Sequence, residues 1–166
     1  MKRAVDFLLS AIGLIVVAPV FLAAAIAIKL DSRGPVFFRQ RRIGRHLKPF
    51  HMLKFRTMVH NAAELGPGIT VGRDQRITRA GHFLRNTKID ELPQLWNVLC
   101  GDMALVGSRP ELEQYVRLYV HEYRTILEAR PGVTDVASIV YRNESELLAQ
   151  SKDPEETYVH VILPDK

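Results

Sequence analysis

The sequence predicts an α/β fold, mixed α+β and helix-rich, in a soluble domain behind an N-terminal membrane helix-break-helix, and three observations lead there. Residues 7–28 contain no charge, and 19 of these 22 residues are hydrophobic. Residues 32–63 contain no acidic residue, yet Arg33, Arg39, Arg41, Arg42, Arg45, Lys48, Lys54 and Arg56 supply eight positive charges. The remaining residues alternate short strand-like and helix-like patterns, without repeats or low-complexity linkers.

Length and composition bound what the chain can be. A chain of 166 residues fits one ordinary domain with a sizeable core, and 25% charged with 47% hydrophobic residues excludes a disordered or collagen-like chain. The net charge of +5 belongs to the basic stretch, because the rest carries 15 basic against 18 acidic residues. A single cysteine, Cys100, excludes an internal disulfide and a Cys-rich zinc site, and fits a reducing compartment.

The apolar run spans about 33 Å as a straight helix, enough for a hydrocarbon core of about 30 Å. Pro19 sits near its middle, removes a backbone hydrogen bond and should bend the helix at Ala18. Lys2 and Arg3 precede the run and the arginine cluster follows it, so both flanks are positive. That symmetry favours a re-entrant hairpin, residues 1–30 broken near Pro19, over a straight span. A signal peptide and a buried core helix are the other readings. Asp6, the length of the run and the arginines behind it argue against the signal peptide.

Residues 31–166 are expected to form one functional unit. Residues 36–42 and 49–56 read as strands around a Gly44-Arg45 turn, with Phe37, Phe38, Phe50 and Phe55 as anchors. Short helices are expected at 61–65, stopped by Gly66-Pro67-Gly68, at 78–85 and at 90–99. The clearest helical spacing runs from 110 to 129, through Tyr115, Val116, Tyr119, Tyr123, Ile126 and Leu127. Residues 133–141 look β-branched enough for a strand, and helices are expected at 144–150 and 154–162.

No phosphate-binding Gly-Lys-Ser/Thr loop, dinucleotide glycine fingerprint or His-Glu-x-x-His helix is present. The six histidines lack ligand spacing. The informative pair is Asp90-Glu91, opening a helix in which Pro93 is tolerated only in the first turn. Acids at a helix start serve as caps. They also suit chemistry, since neighbouring side chains point in different directions and one could hold a divalent metal while the other attacks; spacing alone leaves both readings open. The basic stretch is open between solvated surface, nucleic acid and anionic lipid, and its place after an apolar hairpin favours lipid, at about 1 kcal/mol per Lys or Arg. The tyrosines of 110–129 and Trp96 read as packing residues.

Joined together, these residues resemble one family. The Pro-interrupted N-terminal helix, Lys54-Phe55-Arg56-Thr57-Met58, Asp90-Glu91-Leu92-Pro93-Gln94-Leu95-Trp96-Asn97, Gly101-Asp102-Met103, Leu105-Val106-Gly107, Arg109-Pro110 and Arg130-Pro131-Gly132-Val133-Thr134 are similar, in order, to the small monotopic phosphoglycosyl transferases, bacterial sugar transferases that start polyprenol-linked glycan assembly. The resemblance implies transfer of a sugar 1-phosphate from a UDP-sugar to polyprenol phosphate, expected to be undecaprenyl phosphate, with release of UMP. It implies Asp90 as the nucleophile that forms a covalent phosphosugar intermediate, and Glu91 as the ligand of Mg²⁺. It further implies substrate contacts by Arg109 with Pro110, by Arg142, and by Lys54 and Arg56 of the first motif. Such a protein works with membrane lipids at the bacterial inner (cytoplasmic) membrane, its catalytic domain on the cytoplasmic face, with no nucleic acid partner expected.

Three positions depart from the family pattern: Ser108 for a proline, Asp135 for a glycine, and Tyr141 for the glycine before Arg142. Relatives continue past this point with an aromatic-rich stretch, so the unit is expected to be truncated at Lys166. The competing reading is a non-catalytic, membrane-anchored basic adaptor for anionic lipid or nucleic acid.

Overall fold

Two helices, α1 (Lys2–Val16) and α2 (Ala18–Asp31), meet at Val17 with an angle of 59°. The computed structural model describes residues 1–62, 65, 70–72 and 74–166. The bend lies one residue before the expected Ala18. Pro19 sits in the first turn of α2, where its missing N–H leaves no helical bond unmade, so the proline starts the second helix as it ends the first. No single helix among the described residues is long and apolar enough to cross a membrane; only the bent pair together is.

After α2 an antiparallel hairpin forms, β1 (Phe37–Ile43) on β2 (Pro49–Phe55), in register from Phe37 opposite Phe55 to Ile43 opposite Pro49. Both strands lie within a residue of expectation. The turn between them is a 3₁₀ piece, Arg45–Leu47, with His46 and Leu47 in the left-handed region. The helix expected at 61–65 and its Gly66-Pro67-Gly68 stop lie largely outside the described residues. Helix α3 (Arg79–Asn86) starts where Thr78 Oγ1 accepts the Gly81 N–H at 3.0 Å.

Three expectations need correction. The helix expected over 90–99 is two pieces, a 3₁₀ turn (Ile89–Glu91) and α4 (Gln94–Cys100), because Pro93 caps the second piece and cannot continue the first. The expected 110–129 helix is α5 (Glu113–Leu118) and α6 (Val120–Ile126), broken at Tyr119, whose φ of −125° and ψ of 44° leave the helical region. Tyr119 instead donates its hydroxyl to the Val159 carbonyl, and the two pieces wrap a shared core. The expected strand over 133–141 is a strand only at β4 (Gly132–Thr134). Residues 136–140 form α7 (Val136–Val140), since Asp135 Oδ1 accepts the Ser138 N–H and starts a helix despite the β-branched run.

Strand β4 pairs in parallel with β3 (Ala104–Val106), so the described residues are helix-rich with two two-stranded sheets. The chain finishes through α8 (Glu144–Ala149) and a continuous run of α9 (Pro154–Thr157), a π turn (Tyr158–Ile162) and α10 (Leu163–Asp165). The largest apolar cluster joins Ile43, Tyr115, Val116, Tyr123, Leu127, Leu148, Tyr158 and Ile162. The α5 and α6 tyrosines are thus core residues, whereas Trp96, expected to pack, is half-exposed.

Helix α1 lies against α4, with Gly13 close to Leu95. Its buried positions are Asp6 and Ser10, while Val5, Leu8, Leu9, Ile12, Ile15 and Val16 face outward. This inverts the amphipathicity of a water-facing helix. Arg3 donates from Nη1 to the Val98 carbonyl at 2.5 Å and from Nη2 to that of Leu99 at 2.8 Å, capping α4, and Lys2 reaches the Val106 carbonyl at 2.9 Å. At the other end Asp31 Oδ2 accepts the Ala80 N–H at 2.8 Å. Both ends of the helix pair are therefore tied to the same body.

Candidate active site

The end of α3 turns sharply at Lys88, whose φ of 59° is left-handed, and the following 3₁₀ turn carries Asp90 and Glu91. The acids precede α4 instead of opening it. Behind them Asn97 ties α4 to β2: its Oδ1 accepts the Leu53 N–H at 2.9 Å and its Nδ2 donates to the His51 carbonyl at 2.8 Å. One side chain in α4 thereby completes the free edge of β2. Lys54, next along that strand, reaches Glu91 Oε1 at 3.0 Å.

Arg109 arrives from the other sheet. A Cβ at Gly132 would come within 2.1 Å of the Gly107 nitrogen, so only glycine permits this crossing. Gly107 donates to the Thr134 carbonyl at 3.1 Å and Gly132 to that of Ser108 at 2.9 Å, which locks the loop after β3. The guanidinium then forks onto Glu91, Nη2 to Oε1 at 2.5 Å and Nη1 to Oε2 at 3.3 Å. Two cations thus share one carboxylate.

The neighbouring carboxylates are driven in opposite directions. Burial raises the Asp90 pKa, opposed by Lys54, and the Glu91 charge adds to the rise. Burial would also raise Glu91, but Lys54 and Arg109 together outweigh it and hold Glu91 well below the usual carboxylate range. Burial pulls Lys54 down, against Glu91. Asp90 is 7% exposed and its Oδ1 has no hydrogen-bond partner. A buried, poorly solvated carboxylate with one free oxygen is primed to react or to ligate.

No three His, Cys, Asp or Glu side chains among the described residues gather as a metal site. Mg²⁺ needs less, one or two carboxylates with water and substrate oxygens completing the shell. The oxygen-only pair fits it: Asp90 Oδ1 is free, and Glu91 Oε2 carries only the longer Arg109 contact.

The other sequence candidates fall at different distances from this centre. Arg56 spends its Nη groups on the Ser32 and Arg33 carbonyls and the Ser32 hydroxyl, clamping the exit of α2. Pro110 is buried, its carbonyl accepting from Arg42; beside it Glu111 accepts from Arg42 at 3.1 Å and from the Tyr158 hydroxyl at 2.9 Å. Arg142 is exposed after α7 and shares an open cleft of about 2610 Å³ with Lys54, Asp90, Glu91 and Arg109. Pockets for one small molecule hold roughly 300–1,000 Å³, so this cleft has room for more than one small molecule. Pro19 stays at the helix break.

Sequence reasoning missed Asn97 and Asp135 as positioning residues. An asparagine inside a short helix was the available signal for the first, since such a side chain seeks backbone partners. For the second, an aspartate three residues before Ser138 was the cap signal.

Comparison of the sequence with known proteins finds relatives of one kind. The chain is 46% identical over 143 residues to a UDP-glucose:undecaprenyl-phosphate glucose-1-phosphate transferase of Caulobacter vibrioides, covering 83% of this chain and 53% of the relative. It is 41% identical over 145 residues to a UDP-N-acetylgalactosamine-undecaprenyl-phosphate N-acetylgalactosaminephosphotransferase of Aeromonas hydrophila, covering 84% and 34%. It is 40% identical over 153 residues to the Escherichia coli K12 UDP-glucose:undecaprenyl-phosphate glucose-1-phosphate transferase, covering 89% and 33%. The chain thus spans between a third and about half of the length of these relatives. The family model for bacterial sugar transferases matches residues 1–162, and the chain belongs to that family.

Proposed function

We propose that the chain transfers a sugar 1-phosphate from a UDP-sugar to polyprenol phosphate, with undecaprenyl phosphate as the acceptor its relatives name. The observation that carries this reading is the buried Asp90 carboxylate, one oxygen unpartnered, beside a Glu91 gripped by Lys54 and Arg109. In the first step an Asp90 oxygen forms a bond to the sugar-bearing phosphorus while the bond to the UMP oxygen breaks, and UMP leaves with that electron pair. In the second, an oxygen of polyprenol phosphate forms the new bond and Asp90 departs as carboxylate. Splitting one displacement into two easier ones is the advantage of covalent catalysis. Burial weakens the solvation of the attacking oxygen, while Lys54 and Arg109 offset the repulsion between an anionic nucleophile and an anionic diphosphate. Arg142, on the same cleft, is the further phosphate contact.

Mg²⁺ held by Glu91, with Asp90 beside it, would neutralise charge on the diphosphate. Lys54 and Arg109 hold Glu91 ionised and oriented for that task.

We also propose that residues 1–30 form a re-entrant membrane hairpin and residues 31–166 the catalytic unit on the cytoplasmic face of the bacterial inner membrane. The inverted amphipathicity of α1, the 59° bend and the attachment of both helix ends to one body support this over a straight span. The adaptor reading has less support, because Arg42, Arg45, Lys54 and Arg56 of the basic stretch are spent on internal partners. The test is incubation with Mg²⁺, a panel of UDP-sugars and polyprenol phosphate. Release of UMP with a phosphosugar-lipid product is expected, and its absence across the panel would defeat the proposal.

A further inference from the structure

Arg85, on the last turn of α3, lines the same cleft as Asp90 and Glu91 and takes no part in the Glu91 cluster. Its Nε donates to Thr57 Oγ1 at 2.8 Å and its Nη1 to Thr70 Oγ1 at 3.2 Å. Among the described residues it makes no ion pair, and Nη2 has no protein acceptor. Two neutral hydroxyls orient a guanidinium without cancelling its charge. That is an expensive way to hold a half-buried cation unless an anion completes the site. A guanidinium with one edge fixed and the other free presents N–H donors suited to phosphate oxygens.

The position of this cation is informative. Helix α3 packs on the 3₁₀ turn that carries Asp90; burial depresses the Arg85 pKa, and Asp90 is the strongest charge opposing that depression. Lys54 and Arg109 converge on Glu91, leaving Arg85 as a cation near Asp90 with no carboxylate hydrogen-bonded to it. Thr57 belongs to the Lys54-to-Met58 segment and is buried, and its carbonyl lies against Gly81 of α3. The helix carrying Arg85 is thus seated directly on the segment carrying Lys54.

We propose that Arg85, held by the hydroxyls of Thr57 and Thr70, is a second phosphate-binding residue that takes non-bridging oxygens of the phosphate presented to Asp90. This rests on the transferase reading above. The phosphate is either that of the UDP-sugar diphosphate or that of the lipid acceptor, and the two half-reactions separate these sources.

The test uses the full chain in lipid nanodiscs, as the unaltered protein, Arg85→Lys and Arg85→Ala. UMP release is followed after mixing with UDP-sugar alone, then product formation after adding polyprenol phosphate. Arg85→Lys keeps the charge but loses the fork, and a fall in rate of about 10- to 100-fold is expected, the loss of one charge-assisted hydrogen bond. A slowed UMP burst assigns the contact to the donor, and a normal burst with slowed lipid transfer assigns it to the acceptor; both support the proposal. Millimolar guanidinium should restore part of the Arg85→Ala rate while leaving the unaltered protein unchanged. If both half-reactions keep their rates in both variants, the assignment is wrong. It is also wrong if the losses track a fall in melting temperature without guanidinium rescue, since Arg85 then only braces Thr57 and Thr70. Failure of the unaltered chain to release UMP or form product would overturn the transferase reading, and this proposal with it.

Discussion

Asp135 holds Arg109 by its backbone: Oδ2 accepts the Arg109 N–H at 2.9 Å while Oδ1 accepts the Ser138 N–H at 2.6 Å. One carboxylate therefore starts α7 and fixes the residue whose guanidinium grips Glu91. Burial would raise its pKa, but the Ser138 and Arg109 hydrogen bonds outweigh that and lower it. Asp135→Ala should cost about 1 kcal/mol of stability, the value of an N-cap, and lower kcat/KM through a displaced Arg109. Asp135→Asn, which keeps the acceptor, should lose less. Because the folded pKa is lowered, this contribution is present above the unfolded value and fades as pH falls through the folded one. Thermal melts of both variants between neutral and acid pH check this, and equal stability of Asp135→Ala and unaltered protein at neutral pH would refute it.

The two catalytic candidates should respond oppositely to neutralisation. Asp90, with its pKa raised by burial, costs stability when ionised, and that cost grows as pH rises through its folded pKa. Glu91, with its pKa lowered by Lys54 and Arg109 against the effect of burial, contributes stability above its unfolded pKa and loses it in acid. At neutral pH, Asp90→Asn should therefore raise the melting temperature while abolishing UMP release and any acid-stable phosphosugar adduct. Glu91→Gln should lower it, and excess Mg²⁺ should restore part of the rate. A stabilised Glu91→Gln or a destabilised Asp90→Asn would contradict this electrostatic account.

Asn97 supports the site from behind. Asn97→Leu removes both hydrogen bonds to β2 and leaves the Leu53 N–H and His51 carbonyl unsatisfied, at about 1–3 kcal/mol for each buried group. Activity should fall further than stability alone explains, because Lys54 is positioned by that strand. Denaturant titration beside kinetics on the folded fraction separates the two effects; unaltered kinetics in the folded fraction would remove Asn97 from the site's support.

Arg142 and Arg41 should separate binding from attachment. Arg142→Lys keeps charge but not fork geometry, so activity should drop strongly while membrane association persists. Arg41, exposed and paired with Glu113 at 3.4 Å, should when changed to Gln mainly weaken salt-sensitive membrane association. Vesicle flotation beside kinetics would expose a failure as equal kinetic losses in both.

For the hairpin, Ala4→Cys and Arg33→Cys in a Cys100→Ser background should both resist a membrane-impermeant thiol reagent in intact cells and both react in opened ones. Labelling of residue 4 alone from outside would establish a span. Pro19→Ala should loosen the bend and produce some of that labelling.

The hairpin of basic strands, the helix break, α3 and the acid pair were legible because each rests on local rules: alternation, a proline, a threonine cap, neighbouring charges. The rest depended on partners distant in sequence. Val136 to Val140 has strand-like residues but follows a capping aspartate, and the spacing of Tyr115, Tyr119 and Tyr123 predicts one helix although Tyr119 leaves helical geometry and its hydroxyl bonds Val159. The basic stretch read as uniform charge, whereas half of its cations are occupied inside the protein.

By itself the sequence determined which residues are available for chemistry and the family they belong to, since side-chain identity and order along the chain carry that information. Only the tertiary structure decided how they are used. It brings Lys54, Glu91 and Arg109 together from a strand, a 3₁₀ turn and a loop, and leaves Asp90 Oδ1 buried without a partner. Burial and the distances between charges set those pKa shifts, and neither quantity exists until Asn97 has joined α4 to β2 and two glycines have let β3 and β4 meet.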